Sequence, residues 1–264
     1  MDAPSPHSRF LDDVLPPIQR DVRVRGVAVS GSIAEGRPDL YSDVDLILGI
    51  DDEAFDSVMK ERLTLIGSWT ALVAGFTGEH VGEPRLIVTL VGPPLLHVDF
   101  TFVRDADFAA LPQGPEILWL RDGFEVRAPA DGPSVPLSPD LQWIEDRFWV
   151  WVHYGATKLG RGELFEVIGF LNYLRETVLG PLAACRAGVA TRGVRRLESL
   201  APNEARDLRA TLCGHDPRDA GRALLASAEL YGRWLGDAGA KVERHRRAEK
   251  LAMRYLRDVI AQVG

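Results

Sequence analysis

Val29-Ser30-Gly31-Ser32, then ten residues, then Asp43-Val44-Asp45 running into Leu46-Ile47-Leu48, is the stretch from which the fold is read. Side chains two apart on a β-strand point to the same face, so Asp43 and Asp45 project together while Val44, Leu46 and Leu48 take the other side. One face can then pack on a core and the other carry chemistry. Adjacent carboxylates repel, and both stay ionised only where a cation lies between them. Magnesium suits that role, because it takes hard oxygen ligands, commonly one or two carboxylates with phosphate oxygens and water. Upstream, Gly31 allows close backbone approach. Ser32 offers a hydroxyl and an amide at the head of a short helix expected at Ile33-Ala34-Glu35, where N–H groups favour phosphate.

Two-metal phosphoryl chemistry needs ligands from more than one direction, which calls for a third carboxylate on a neighbouring strand. Asp99 is the residue placed to supply it. It lies in Leu95-Leu96-His97-Val98-Asp99-Phe100-Thr101-Phe102-Val103, where Val98, Phe100 and Phe102 face one way and His97, Asp99 and Thr101 the other. Burying a lone aspartate there unpaired would be costly, and a metal removes that cost. His97 could border the site through its strand, though the preferred reading is a polar edge residue.

The chain has 264 residues, 46% of them hydrophobic, which is ordinary for a globular protein of one large or two average domains. A net charge of -7 argues against a protein that tracks along nucleic acid, since that needs a basic stripe. A small acceptor, cationic or neutral, suits the balance better. Cys185 and Cys213 have no metal-ligand spacing and are expected to be free thiols. With no apolar N-terminal segment and no long uncharged span, the expectation is a soluble cytoplasmic protein without membrane partners.

Along the chain, a helix is expected at 7–20, a strand around Gly26-Val27-Ala28-Val29, and a helix at 52–63 capped by Asp51-Asp52-Glu53. Strand-like runs follow at 70–76, 85–91 and 95–103, and Asp122-Gly123 between apolar runs predicts a hairpin over Glu116–Val126. The Pro- and Gly-rich stretch 128–139 marks a boundary, giving units 1–130 and 131–264. Helices are then expected at 140–159, 163–184, 203–212, 217–237 and 241–262, with Leu164, Val167, Ile168, Leu171, Leu174 and Val178 on a buried stripe. The predicted class is α+β: an N-terminal mixed sheet flanked by helices, then a C-terminal helical bundle.

Gly31-Ser32, Ser42 just before Asp43-Val44-Asp45, and the later Asp99 resemble the nucleotidyltransferase superfamily with the DNA polymerase beta fold. Within it the run Gly31–Leu46 looks most like the bacterial enzymes that adenylylate aminoglycosides and lincosamides. One departure is that Glu35 stands where many such proteins have a basic residue, with Arg37 two positions later. The resemblance implies magnesium, two ions, held by Asp43, Asp45 and Asp99, with an NTP such as ATP secured by Gly31, Ser32 and Ser42. Asp99 is either a metal ligand or the general base.

A triphosphate also needs cations opposite it. Lys158 and Arg161, flanking the helix break at Gly160, are the residues picked for this; the competing reading is a solvated helix C-terminus. Glu163, Glu166 and Tyr231 read as structural. The basic run Arg244-His245-Arg246-Arg247 alternates with Glu243 and Glu249 and reads as a salt-bridged helix face. Glu79, Glu83, Asp105 and Asp107 are loop acids that could attract a cationic acceptor. Together these imply transfer of AMP from ATP to a hydroxyl of a small antibiotic-like molecule, releasing pyrophosphate. The alternatives are a non-catalytic, antitoxin-like module of the same fold, or transfer to a protein.

Overall fold

The computed structural model describes residues 5–127, 139–237 and 242–263. Two compact units divide the chain, Met1–Gly132 and Pro133–Gly264. The boundary expected between 130 and 131 lies outside the described residues.

In the first unit, α1 (Pro6–Arg20) leads into β1 (Val24–Ser30), the single turn α2 (Gly31–Ala34) and β2 (Val44–Ile50). Then come α3 (Phe55–Trp69), β3 (Leu72–Gly78), β4 (Glu83–Val91), β5 (Leu96–Arg104), the short α4 (Asp105–Phe108) and β6 (Glu116–Leu120). The strands form one mixed sheet in the order β3-β4-β5-β2-β1-β6. Neighbours are antiparallel except β2 and β5, which run parallel. A parallel pair requires a long crossover, which α3 and the β3-β4 hairpin supply.

Period-two alternation seats the two central strands. Val44, Leu46 and Leu48 of β2 and Val98, Phe100 and Phe102 of β5 are buried, and they share one core with Phe10, Val14 and Ile18 of α1 and Val58, Ile66 and Trp69 of α3. On the opposite face, Phe108 of α4 covers one end of the sheet with Ala28 and Val103. Gly26 and Gly49 make room for its ring, since a Cβ would stand 2.5 and 2.6 Å from it. The α+β class is as the sequence predicts.

Two local expectations are corrected. Glu116–Val126 is not a hairpin: β6 pairs with β1, and after the Asp122-Gly123 turn residues 124–127 form no strand. Arg121 accounts for this, because its guanidinium donates to the carbonyls of Val24, Gln19 and Asp21 at 2.7, 3.1 and 2.7 Å and ties the end of β6 to the α1–β1 junction. Phe124 turns inward instead, its ring 6.2 Å from that of Phe108. Helix α3 begins at Phe55 and has no side-chain cap. Asp51 is occupied elsewhere, accepting from the Glu53 amide at 3.0 Å and pairing with Arg25.

The second unit is helical: α5 (Leu141–Gly160), α6 (Leu164–Leu174), α7 (Gly180–Ala187), α8 (Leu197–Leu200), α9 (Pro202–Leu208), α10 (Pro217–Asp237) and α11 (Arg246–Val263). Leu164, Val167, Leu171, Leu174 and Val178 are buried, while Ile168 is half-buried. Between α6 and α7 the helix widens to a π turn over Arg175–Leu179. Glu145 is buried and fully engaged: Tyr231 Oη donates to it at 2.6 Å, Trp149 Nε1 at 3.1 Å, Arg244 Nε at 3.3 Å and the His245 amide at 2.8 Å. That network makes Tyr231 structural and fastens the chain entering α11. No described helix is long and apolar enough to cross a membrane.

Candidate functional site

Strand β1 ends at Ser30, and Gly31, at φ 67°, turns the chain into α2. That left-handed conformation suits glycine, and a Cβ there would collide with Asp45 Oδ2. The turn is closed by hydrogen bonds, the Glu35 amide donating to the Gly31 carbonyl at 3.1 Å and the Arg37 amide to the Ser32 carbonyl at 3.0 Å. Register then sets the rest. Ser30 lies opposite Asp45, and Asp45 opposite Asp99, so the three form one row across β1, β2 and β5 on the face away from the main core.

Asp99 is half-buried, and His97 Nε2 lies 3.0 Å from its Oδ1. Burial pushes the Asp99 carboxyl above the usual range; the charge and hydrogen bond of His97 pull it back, and the charge of Asp43 adds to the rise. Asp43, just ahead of β2, is thus an electrostatic neighbour of Asp99. The Ser32 hydroxyl is buried without a hydrogen-bond partner among the described residues. Ser42 differs: its hydroxyl accepts from the Asp39 amide at 2.9 Å, and its carbonyl lies 2.7 Å from Nε2 of the buried His7. It shapes the loop before β2, with α1 holding it from behind. Arg37 pairs with Glu35 at the exposed rim of the same loop.

Among the described residues no three His, Cys, Asp or Glu side chains stand close enough together to hold a metal by themselves. Asp43, Asp45 and Asp99 would thus need oxygens from outside the chain to complete an ion's shell. The donor chemistry still fits magnesium, which commonly takes only one or two carboxylates and completes its shell with phosphate and water. Asp45 and Asp99 in register, a close-approach glycine and an unsatisfied buried hydroxyl suit an ion that arrives with a phosphate.

Lys158 and Arg161 belong to the second unit. There Lys158 Nζ lies 2.5 Å from Glu163 Oε2 and 3.9 Å from Glu166 Oε2, and Arg161 lies 3.8 Å from Glu163 Oε1. The hydrogen bond to Glu163 raises the Lys158 ammonium. Of the loop acids, Glu83 is bound by Arg85 at 2.7 and 2.8 Å and Asp107 lies 3.8 Å from the same guanidinium, whereas Glu79 accepts the neutral Thr77 hydroxyl and Asp105, its carboxyl raised by burial and by Asp52, has an acid for a neighbour. Trp149 is in the core; Trp143 and Trp151 pack edge to face at 5.6 Å.

The sequence leaves the contact from His97 to Asp99 open, and it gives no sign of the role of His7. Period two does place His97 on the Asp99 face, so the signal was there for the first; nothing local marks the second.

No family model matches the chain, and a comparison with curated proteins finds no match. Among solved structures it is similar to an aminoglycoside 6-adenyltransferase from Bacillus subtilis, at 15% identity and TM-score 0.43, covering 94% of this chain and 97% of that one. It is also similar to a STING-associated CdnE c-di-GMP synthase from Capnocytophaga granulosa, at 12% identity and TM-score 0.30, covering 97% of this chain and 80% of that one. Both scores are low, and the chemistry is read from the chain's own residues.

Proposed function

We propose that this chain is a magnesium-dependent nucleotidyltransferase that moves a nucleoside monophosphate, AMP from ATP in the first instance, to a hydroxyl of a small molecule. What carries the proposal is one observation: the Gly31 turn packs on Asp45, and Asp45 is the register partner of Asp99. A phosphate cradle and a carboxylate pair thus share one sheet face.

In this reading Gly31 and Ser32 hold the phosphates through backbone amides and the Ser32 hydroxyl, while Asp43 and Asp45 carry the metal. Magnesium, when bound, neutralises and orients the phosphates. The acceptor oxygen bonds to the α-phosphorus, the bond to the bridging oxygen breaks, and pyrophosphate leaves with its electron pair. The hydroxyl proton passes to Asp99 or, where Asp99 instead ligates a second ion, to solvent. Lys158 and Arg161 are the proposed cations for the outer phosphates, which would compete with Glu163 for them.

The test is pyrophosphate release from each NTP with magnesium and a panel of aminoglycosides and lincosamides, the acceptor classes suggested by the sequence resemblance. Release that depends on acceptor and is lost in Asp45→Asn supports transfer. Label retained on the chain itself points to a protein acceptor. The alternative is a non-catalytic module of the same fold; nucleotide binding with no release under any condition is its signature.

A further inference from the structure

The carboxylate row does not end at Asp99. Across β4 and β3 the register continues it, with Val88 opposite Asp99 and Phe76 opposite Val88. One step along, Leu90 lies opposite His97 and Ala74 opposite Leu90. Residues directly opposite across a strand pair project to the same face. Ala74, Phe76, Val88 and Leu90 therefore make a floor on the same side of the sheet as Asp99 and immediately beside it.

That floor is exposed, Phe76 at 56% and Leu90 at 38%. The reverse side of β4 is ordinary core, with Ile87, Thr89 and Val91 buried, while on β3 Leu63 of α3 lies close over Gly75 and Val73 stays exposed. A sheet covered on one side normally alternates apolar inward with polar outward. Here the outward positions are apolar as well, on β4 beside the Asp99 strand and on β3 beyond it, on the side away from the phosphate turn.

We propose that this floor binds the acceptor, and that the acceptor is a hydroxyl-bearing molecule with an apolar ring or alkyl face. The apolar face lies on Phe76, Val88 and Leu90, and the hydroxyl is presented to Asp99. The assignment rests on the transfer reading above, which places the donor on the Gly31-Ser32 side of the row and leaves the β4 side for the acceptor. The floor itself carries no charge to hold a polycation, since Ala74, Phe76, Val88 and Leu90 are all apolar. His97 stands at the rim beside Leu90 and His80 beside Phe76, ring centroids 5.3 Å apart for the latter pair, so polar substituents find partners only at the edge.

The experiment uses the full chain with labelled Val and Leu methyl groups, and phenyl β-glucoside and methyl β-glucoside as matched probes that differ in their apolar part. Saturable shifts of the Val88 and Leu90 methyls are expected with the phenyl probe, at affinity about tenfold above that of the methyl probe. In Phe76→Ser and in Leu90→Ser that affinity falls about tenfold, the ratio expected for an exposed apolar contact that becomes buried. Shifts confined to other methyls, or affinity for the phenyl probe unchanged from wild type in both variants, overturn the proposal. Movement of these same methyls on dilution without probe also overturns it, since a second copy then covers the floor. Binding of magnesium with a non-hydrolysable ATP analogue, followed at the Gly31 and Ser32 amides, is read separately. Its absence in the wild type sinks the transfer reading, whereas its presence with no probe binding sinks only the acceptor floor.

Discussion

Gly31 is fixed from two sides, by its own backbone and by Asp45. Replacing it with alanine forces a side chain into a left-handed conformation and into the Asp45 carboxylate. The expected outcome is a loss of more than about 1 kcal/mol of stability in thermal denaturation, together with a fall in pyrophosphate release as Asp45 is displaced. His97 acts through Asp99. Its hydrogen bond fixes one carboxylate oxygen and leaves the other available, so His97→Ala should lower magnesium affinity or turnover about ten- to a hundredfold. His97→Asn, which keeps a donor, should recover part of the loss, and manganese binding followed by electron paramagnetic resonance checks it apart from turnover. Among single residues the sequence was informative where chemistry follows the strand period, as for Asp45 and Asp99. It was silent on the unsatisfied Ser32 hydroxyl, because satisfaction is decided by whichever distant groups happen to lie near.

Among the elements, β2 and β5 were legible because alternating burial leaves a period-two trace that few other conformations share. The segment after β6 was misread because Asp-Gly chemistry specifies a turn but not what pairs on either side of it. The partner of β6 is β1, and Arg121 enforces that choice with three carbonyl contacts. Arg121→Met should therefore cost about 1.5–3 kcal/mol in urea unfolding, the range for hydrogen bonds to a charged group. The α1–β1 turn has an acid-sensitive member in Asp21, whose carboxyl the Arg23 guanidinium holds below the usual range, its two contacts being 2.7 and 2.8 Å. A depressed carboxyl contributes stability above its unfolded value and loses it as pH falls through the folded one. Between about pH 5 and pH 3 the wild type should lose more stability than Asp21→Asn; parallel curves would show that the turn does not depend on this ion pair. The start of α3 was mislocated for a related reason, since Asp51 prefers Arg25 to a helix end.

Charge is divided unevenly along the chain as a whole. The first unit holds 22 acidic against 11 basic residues and the second 16 against 20, so the net charge of -7 conceals an acidic sheet unit and a mildly basic bundle. The cations proposed for the phosphates come from the basic half. Lys158→Gln should raise the KM for the nucleotide while shifting the melting temperature only a little, because the glutamine can still donate to Glu163 and a partly exposed ion pair contributes little to stability. An unchanged KM would return Lys158 to the bland role of capping its helix. The bundle itself was well read from helical periodicity, but its buried Glu145 was not, since a glutamate that is fastened by an indole, a phenol and an arginine looks in sequence like any surface acid. The connectivity of the sheet also sets the order in which the protein assembles. The strands β3, β4 and β5 pair with their sequence neighbours, whereas the parallel union of β2 with β5 joins segments separated by that entire meander. Distant pairings carry the larger loop-closure entropy and form more slowly. Asp45 and Asp99 become neighbours only when that union is made, so in refolding the capacity to bind nucleotide should lag behind collapse and serve as a clock for completion of the sheet.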